Sequence, residues 1–534
     1  MAVPNGGDAV ARALRRNGVD TVFGIPASYT VEIYDAILRQ GGIRSIVARN
    51  EQAAAFMADG YARRSGRPGV VVVTGGPGLG NTVTGLQTAY ADSSPIVVIA
   101  SDHNPSHRRA QPLGLPHEAF DQAALARATG ARVVRADDGA SISAAVEEML
   151  KACLLGRPGP GVVLINRAAL EAPESVPASR PQTSAQPNPT ATGEELDEVL
   201  RLLTAASNPV LLVGAGVIRG RAESQLAGLV SATGLPVVTT VPARQAVNAE
   251  TGWVGVMDND AARAVVEDAD LVLAVGTSFG WATTGEWKLR IDGSLIHVDI
   301  DPGSLGKQYE PDLAIVADSR SFLTSLTELI DRNRTRFDGR PVSAEATTAS
   351  HPWTDPIARA LPSRGVTICG DVTMALRWIP GHPSLGPECR LMTPWNFMTL
   401  GWAYAAALGV QAAAPEDTVL AVMGDGGALF TLGELATAVE HELPVCLVVY
   451  NNRSYGIIAE VQDMFCEGRR FGIDLQQPDF AAAGRAFGMN SSRADTPDEL
   501  EAALRKHLGT GEPSLIEARV GLEDLGADPV GSGK

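Results

Sequence analysis

Short runs of Val, Ile and Leu recur along the chain, each ending in a turn rich in Gly, Pro or small polar residues and followed by a stretch whose apolar positions fall at helical spacing. Runs that are apolar throughout suit strands buried on both faces, and strands alternating with helices predict parallel sheets covered on both sides. Three such blocks are expected. The first, residues 1–170, carries DTVFGIP, SIVAR, GVVVVTGG, PIVVIAS and GVVLIN; the second, 193–330, carries PVLLVGAGVIRG, PVVTTVP, LVLAVGTSF and LIHVDIDP. The third, 356–525, carries VTICGD, TVLAVMGDGG, PVCLVVYNN and SLIEARV. Between them, Glu171–Thr192 and Asp331–Trp353 are rich in Pro, Ser, Thr and charge, as connectors are, and the GADPVGSGK tail reads as frayed. The fold class is therefore α/β, with three doubly wound parallel-sheet domains, the first and third built alike.

Composition narrows the class. A chain of 534 residues exceeds what one core supports, and 45% hydrophobic but only 5% aromatic residues, with 56 Gly and 34 Pro, suits buried parallel strands joined by tight turns. Against 61 Asp and Glu there are 44 Lys and Arg, a formal charge of −17, so the basic footprint of a nucleic-acid binder is absent. Five widely spaced cysteines with no CxxC pair fit a reducing compartment. The N-terminal segment reads as an amphipathic helix running into a strand, not as a signal peptide, and no apolar run is long enough to span a membrane. A cytoplasmic protein is expected.

The candidate chemistry lies in the third block. TVLAVM ends in Gly424-Asp425-Gly426-Gly427 and PVCLVVY ends in Asn451-Asn452, with LFTLGELATAVEHELP read as the crossover helix between them. Ligands of open α/β sheets sit at the carboxyl ends of the strands, so both polar ends should emerge on one edge. A carboxylate, an amide oxygen and a backbone carbonyl form an all-oxygen set suited to Mg²⁺ or Ca²⁺, and flanking glycines let phosphate approach backbone N–H groups. Alone, each motif reads more readily as a tight turn or a helix cap than as a ligand site. Together, with 24 residues from Gly427 to Tyr450 between them, they resemble the diphosphate-and-metal signature of thiamine diphosphate enzymes. That resemblance implies Asp425 and Asn452 as metal ligands by side chain and Ser454 by its carbonyl, with Gly426, Gly427, Tyr455 and Gly456 at the cofactor.

In the first block, Glu51 opens a small-residue helix directly after SIVAR, which alone is readable as an acid favoured by the helix dipole. NEQAAAFMADGYAR followed by VVVTGGPGLGNTVTGLQTAYADSSPIVVIAS, however, resembles the pyrimidine-binding domain of the acetolactate synthase and 2-oxo acid decarboxylase family. The resemblance spans nearly the whole chain in the order pyrimidine-binding, central, diphosphate-binding. It implies that Glu51 drives the cofactor's aminopyrimidine into its imino form, and that Pro26 and Asn81 also face the cofactor. LMTPWNFMTLGWAYAAALGVQ, otherwise a buried Ala-rich helix and its leading loop, would place Leu400 as the wedge that bends the cofactor, with the Met398 carbonyl near its amino group. Val372, Thr373 and Met374 resemble a second diphosphate-contacting loop. Family members share each site between two subunits, so a homodimer at minimum, or a tetramer, is implied.

The resemblance further implies decarboxylation of a 2-oxo acid through an enamine, which is then protonated or joined to a second carbonyl. Ser28 occupies the place of a serine in benzoylformate decarboxylase-like relatives, whereas Thr74 and Thr283 replace histidines used there. His117 lies where pyruvate decarboxylases carry a histidine pair and is equally readable as a loop residue; Phe120, Ile457 and Ile458 would line the acyl pocket. Gly214, Gly216 and Gly220 form an imperfect dinucleotide fingerprint, read as a structural turn, and TSFGWATTGEWKLR departs from the flavin-binding acetolactate synthases, which argues against FAD. GIPASYTVEIYD, LPHEAFDQ and FGIDLQQPDF resemble 5-guanidino-2-oxopentanoate decarboxylase-like enzymes. The expected activity is thus thiamine diphosphate- and Mg²⁺-dependent, non-oxidative 2-oxo acid decarboxylation. The alternatives are an acetolactate synthase-like carboligase and, from another class, an inert cofactor-binding regulatory relative.

Overall fold

The structure, a computed structural model, describes residues 4–104, 106, 113–173, 188–247, 252–335, 350–382, 385 and 389–526. Most of both expected connectors, and the expected frayed tail beyond Gly526, lie outside the described residues. The N-terminal segment forms the anticipated helix, Gly6–Arg16, where Asn5 and Asp8 close a reciprocal capping box. All five cysteines are unpaired. No described helix is long and apolar enough to cross a membrane.

Each block folds around one six-stranded sheet whose named strands all pair in parallel. The first contains β1 (Thr21–Gly24), β2 (Arg44–Val47), β3 (Gly69–Val73), β4 (Ile96–Asp102), β5 (Arg132–Ala136) and β6 (Gly161–Asn166), in the order β2-β1-β3-β4-β6-β5. The second contains β7 (Pro209–Val213), β8 (Val237–Thr239), β9 (Trp253–Val256), β10 (Leu271–Val275), β11 (Ser294–Asp299) and β12 (Leu313–Val316), in the order β12-β11-β10-β7-β8-β9. The third contains β13 (Val366–Gly370), β14 (Cys389–Met392), β15 (Thr418–Gly424), β16 (Cys446–Asn451), β17 (Asn490–Ala494) and β18 (Ser514–Arg519), in the order β14-β13-β15-β16-β18-β17. The first and third orders are the same when counted from the first strand of each, which confirms the expected reuse of one architecture.

The apolar pattern identified every interior strand, and β2 as well. The strands it missed, β5, β9, β12, β14 and β17, all lie at sheet edges. An edge strand is partly solvated and so carries polar residues, as RVVRA and NSSRA do. The crossover after β15 also departs from expectation: it forms a short helix, Asp425–Ala428, then a turn, then the helix Glu434–Glu440.

The first and third sheets share a core. The helices Glu51–Ser65 and Trp402–Ala413 pack with small residues at their contact, so closely that a Cβ on Gly409 would lie 1.8 Å from the Met57 carbonyl oxygen, and one on Gly60 2.1 Å from that of Ala406. A buried polar lock fixes the same contact. Trp402 Nε1 donates to Asp59 at 2.7 Å, and Arg63 bridges Asp59 and Asp92 at 2.8 and 3.1 Å. The helix that begins with Glu51 is thereby held rigidly against the domain that carries Asp425.

Candidate functional site

The strand order of the third sheet reverses between β13 and β15, and a crevice opens at their carboxyl ends, as this topology dictates. It is a cavity of about 290 Å³. From the end of β13 come Val372, Thr373 and Met374; from the loop before the Trp402–Ala413 helix, Met398 and Leu400; from the end of β15, Asp425, Gly426 and Gly427. Beyond β16 come Asn452, Ser454, Tyr455, Gly456, Ile457 and Ile458. Every residue expected there from the third block lines this one space. The adjacent asparagines divide the work: Asn451 turns into the core to donate to Glu517 at 2.9 Å, while Asn452 lines the crevice and accepts from the Ser454 amide at 3.0 Å.

Two oxygens in this crevice, Asp425 Oδ2 and Ser454 Oγ, are buried without a hydrogen-bond partner. Burial pushes the Asp425 carboxyl up to about 6, against the lowering effect of the Gly426 amide. Close packing explains the glycines: a Cβ on Gly426 would lie 2.5 Å from the Tyr455 ring, and one on Gly427 2.8 Å from the Asp371 carboxylate. Asp371 is a residue that the sequence reading passed over. It is fully buried, accepts from the amides of Val372 at 2.9 Å and Gly401 at 2.8 Å, and burial pushes its carboxyl up to about 7. Thr431 donates to the Gly401 carbonyl at 3.1 Å, so both backbone groups of the residue after Leu400 are held. The signal was present in CGDV, an acid at a strand's carboxyl end, but it lacked a partner motif.

The first sheet reverses between β1 and β3, and a second constellation occupies that edge. Glu51, at the start of its helix after β2, accepts from Asn81 Nδ2 at 2.9 Å. His117, with φ at 59°, places Nδ1 3.0 Å from Thr74 Oγ1 and its ring edge-on to Tyr29 at 5.1 Å. Pro26 and Ser28, in the turn after β1, are exposed, and Phe120 is 76% exposed. Thr283 does not join this group; it lines a separate cavity in the central block and accepts from Trp395 Nε1 at 3.3 Å.

Within one chain the two constellations stay apart. None of Pro26, Ser28, Glu51, Asn81, His117 or Phe120 lines the crevice that holds Asp425.

Residues 4–125 match the thiamine pyrophosphate enzyme N-terminal TPP binding domain, residues 196–326 the central domain and residues 371–518 the C-terminal TPP binding domain. The chain is 32% identical to the acetolactate synthase isozyme 3 large subunit of Escherichia coli (strain K12), with 88% of this chain and 86% of that one aligned. The chain belongs to the thiamine pyrophosphate enzyme family. It is also 29% identical to the acetolactate synthase large subunit of Haemophilus influenzae (94% and 92% covered) and 29% identical to the isozyme 2 large subunit of E. coli (97% and 95% covered).

The crevice fits the cofactor of a thiamine pyrophosphate enzyme. Its lining combines polar groups, the unpaired oxygens, Asn452 and the glycines after Asp425, with the apolar side chains of Leu400, Ile457 and Ile458. No group of three His, Cys, Asp or Glu able to hold a metal occurs among the described residues, so a cation at Asp425 needs amide and carbonyl oxygens beside it. The central domain has its own crevice, about 350 Å³, at the reversal between β7 and β10, lined by Gly216, Arg219, Gly276 and Asp299 among others. Gly214 and Gly216 pack against Gly276 closely enough to be structural, as expected, yet the polar space beside them gives no reason against FAD.

Proposed function

We propose that the protein is a thiamine diphosphate- and Mg²⁺-dependent carboligase that joins the acyl group of one 2-oxo acid to a second carbonyl compound, as in acetolactate synthesis. The reading rests on a buried, partnerless Asp425 carboxylate oxygen at the end of β15 in a chain 32% identical to an acetolactate synthase large subunit. These relatives favour carbon–carbon bond formation over the simple decarboxylation that the active-site sequence alone suggested. Thiamine diphosphate, when bound, supplies a carbon nucleophile that releases CO₂ from a 2-oxo acid and leaves the acyl carbon nucleophilic.

The chain's residues would divide the remaining work. Asp425 and Asn452, with the Ser454 carbonyl, would hold the cation that neutralises the diphosphate, and the amides of Gly426 and Gly427 would be available to its oxygens. Glu51 would hold a proton for the cofactor's pyrimidine, and Leu400 would provide the apolar support against which the cofactor rests. His117, fixed by Thr74, is placed to exchange a proton with a substrate oxygen. Because Glu51 does not line the crevice that holds Asp425 within one chain, we infer that the complete site is assembled from two subunits, as a homodimer or a higher oligomer. The exposed Phe397, Met398, Leu429 and Phe430 beside Leu400 provide an apolar rim for that contact.

The test is product stoichiometry with a panel of 2-oxo acids, thiamine diphosphate and Mg²⁺. One CO₂ per newly joined carbon–carbon product is the expected result. One CO₂ per aldehyde would restore the decarboxylase reading, and no CO₂ from any substrate would favour the inert cofactor-binding relative.

A further inference from the structure

β2 is the outer strand of the first sheet, and its chain continues through Ala48, Arg49 and Asn50 into Glu51. Alternate amides face β1: those of Arg44 and Ala48 donate to Asp20 and Gly24 at 2.7 and 3.0 Å. The amides of Val47 and Arg49 face outward, where an edge strand has no backbone partner. Here they meet one face of the helix Glu434–Glu440 from the C-terminal domain of the same chain. The Arg49 amide donates to Glu434 Oε1 and Oε2 at 3.0 and 3.2 Å, and the Val47 amide to His441 Nε2 at 2.9 Å. Thr437, lying between them on the same helix face, has one hydroxyl proton, which it donates to Glu434 at 2.7 Å, with the Val47 carbonyl at 3.3 Å as the longer alternative acceptor. Side chains at i, i+3 and i+7 thus substitute for a neighbouring strand along the last residues before Glu51.

We propose that Glu434, supported by Thr437 and His441, is a positioning residue that aims Glu51. The proposal rests on the cofactor role assigned to Glu51 above. Glu434 is 1% exposed, so its carboxylate is committed to these donors and does not face solvent. It is also joined through one turn to the short helix Asp425–Ala428. Each chain therefore connects the metal loop of one site directly to the glutamate it lends to the other. A local shift at Glu434 would tilt Glu51 with no residue changed in the Asp425 crevice.

Two measurements on the full-length, cofactor-loaded oligomer test this. Hydrogen exchange at the Arg49 amide reads the bond itself, and hydrogen–deuterium exchange at C2 of bound thiamine diphosphate reads the aim of Glu51. Glu434→Ala should expose the Arg49 amide and slow C2 exchange roughly 10- to 100-fold, the cost of a misplaced catalytic group, while cofactor affinity stays within about twofold. Glu434→Gln, which keeps one acceptor oxygen for the amide, should recover most of the rate, whereas Glu434→Met, which fills similar volume without an acceptor, should not; equal recovery by both would reduce Glu434 to packing and overturn the proposal. Unchanged amide protection in Glu434→Ala would overturn the proposal. So would a C2 exchange rate equal to wild type, provided Glu51→Gln slows it. If Glu51→Gln leaves that rate intact as well, the failure lies in the role given to Glu51, and the aim ascribed to Glu434 falls with it.

Discussion

Asp425 carries the clearest single-residue consequence. Its carboxyl sits at about 6 because it is buried, and a divalent cation binds only the ionised form. Above that pH the group is already charged and metal affinity should be flat; below it, protons compete, and apparent Mg²⁺ affinity in the presence of thiamine diphosphate should fall about tenfold per pH unit. Calorimetric titration across this range checks the slope, and Asp425→Asn should both weaken binding and flatten the profile. A second titrating group is His441, lowered from the ordinary 6.5 by burial, with Arg44 and Arg49 adding to the shift and Glu440 opposing it. Its contribution to stability is complete above 6.5 and is lost as pH falls below it, because protonation removes the acceptor for the Val47 amide. Asp425 and Asn452 were legible because their motif is paired at fixed spacing. Asp371 and Glu434 were not, since each acts through backbone amides distant in sequence, at Gly401 and Arg49, and a one-dimensional pattern holds no trace of such partners.

Among the elements, the helix pair Glu51–Ser65 and Trp402–Ala413 is the most constrained. Its backbones touch, so Gly409→Val must push the helices apart and should lower stability by about 1–3 kcal/mol, read from the denaturant midpoint. Gly228, in the helix Glu223–Thr233, has no neighbour within 4 Å of an added Cβ, and Gly228→Ala should raise stability by about 0.5–1 kcal/mol through helix propensity alone. The contrast separates glycines kept for contact from glycines merely tolerated. Interior strands were readable because burial on both faces demands uninterrupted Val, Ile and Leu. Edge strands such as β5 and β17 were hidden because one side is wet. The crossover after β15 was read as one helix because its apolar spacing runs across the break at Thr431-Leu432-Gly433.

For the whole molecule, separation of Glu51 from the Asp425 crevice within one chain predicts complementation between subunits. Glu51→Gln and Asp425→Ala homodimers should each be nearly inactive. After subunit exchange, half of the dimers are mixed, and each mixed dimer rebuilds one site from its intact Glu51 and intact Asp425, giving about a quarter of wild-type activity. An inactive mixture of demonstrably exchanged dimers would place both residues in one site of one chain.

The sequence by itself determined three parallel-sheet domains, the polar strand ends and which third-block residues gather in the crevice at those ends, because periodicity, turn chemistry and motif spacing are local properties of the chain. Only the tertiary structure decided that Glu51 stands apart from the Asp425 crevice, which edge strands complete the sheets, and that a helix of the last domain supports the strand leading to Glu51. Those relations depend on contacts between residues hundreds of positions apart, and folding alone brings them together.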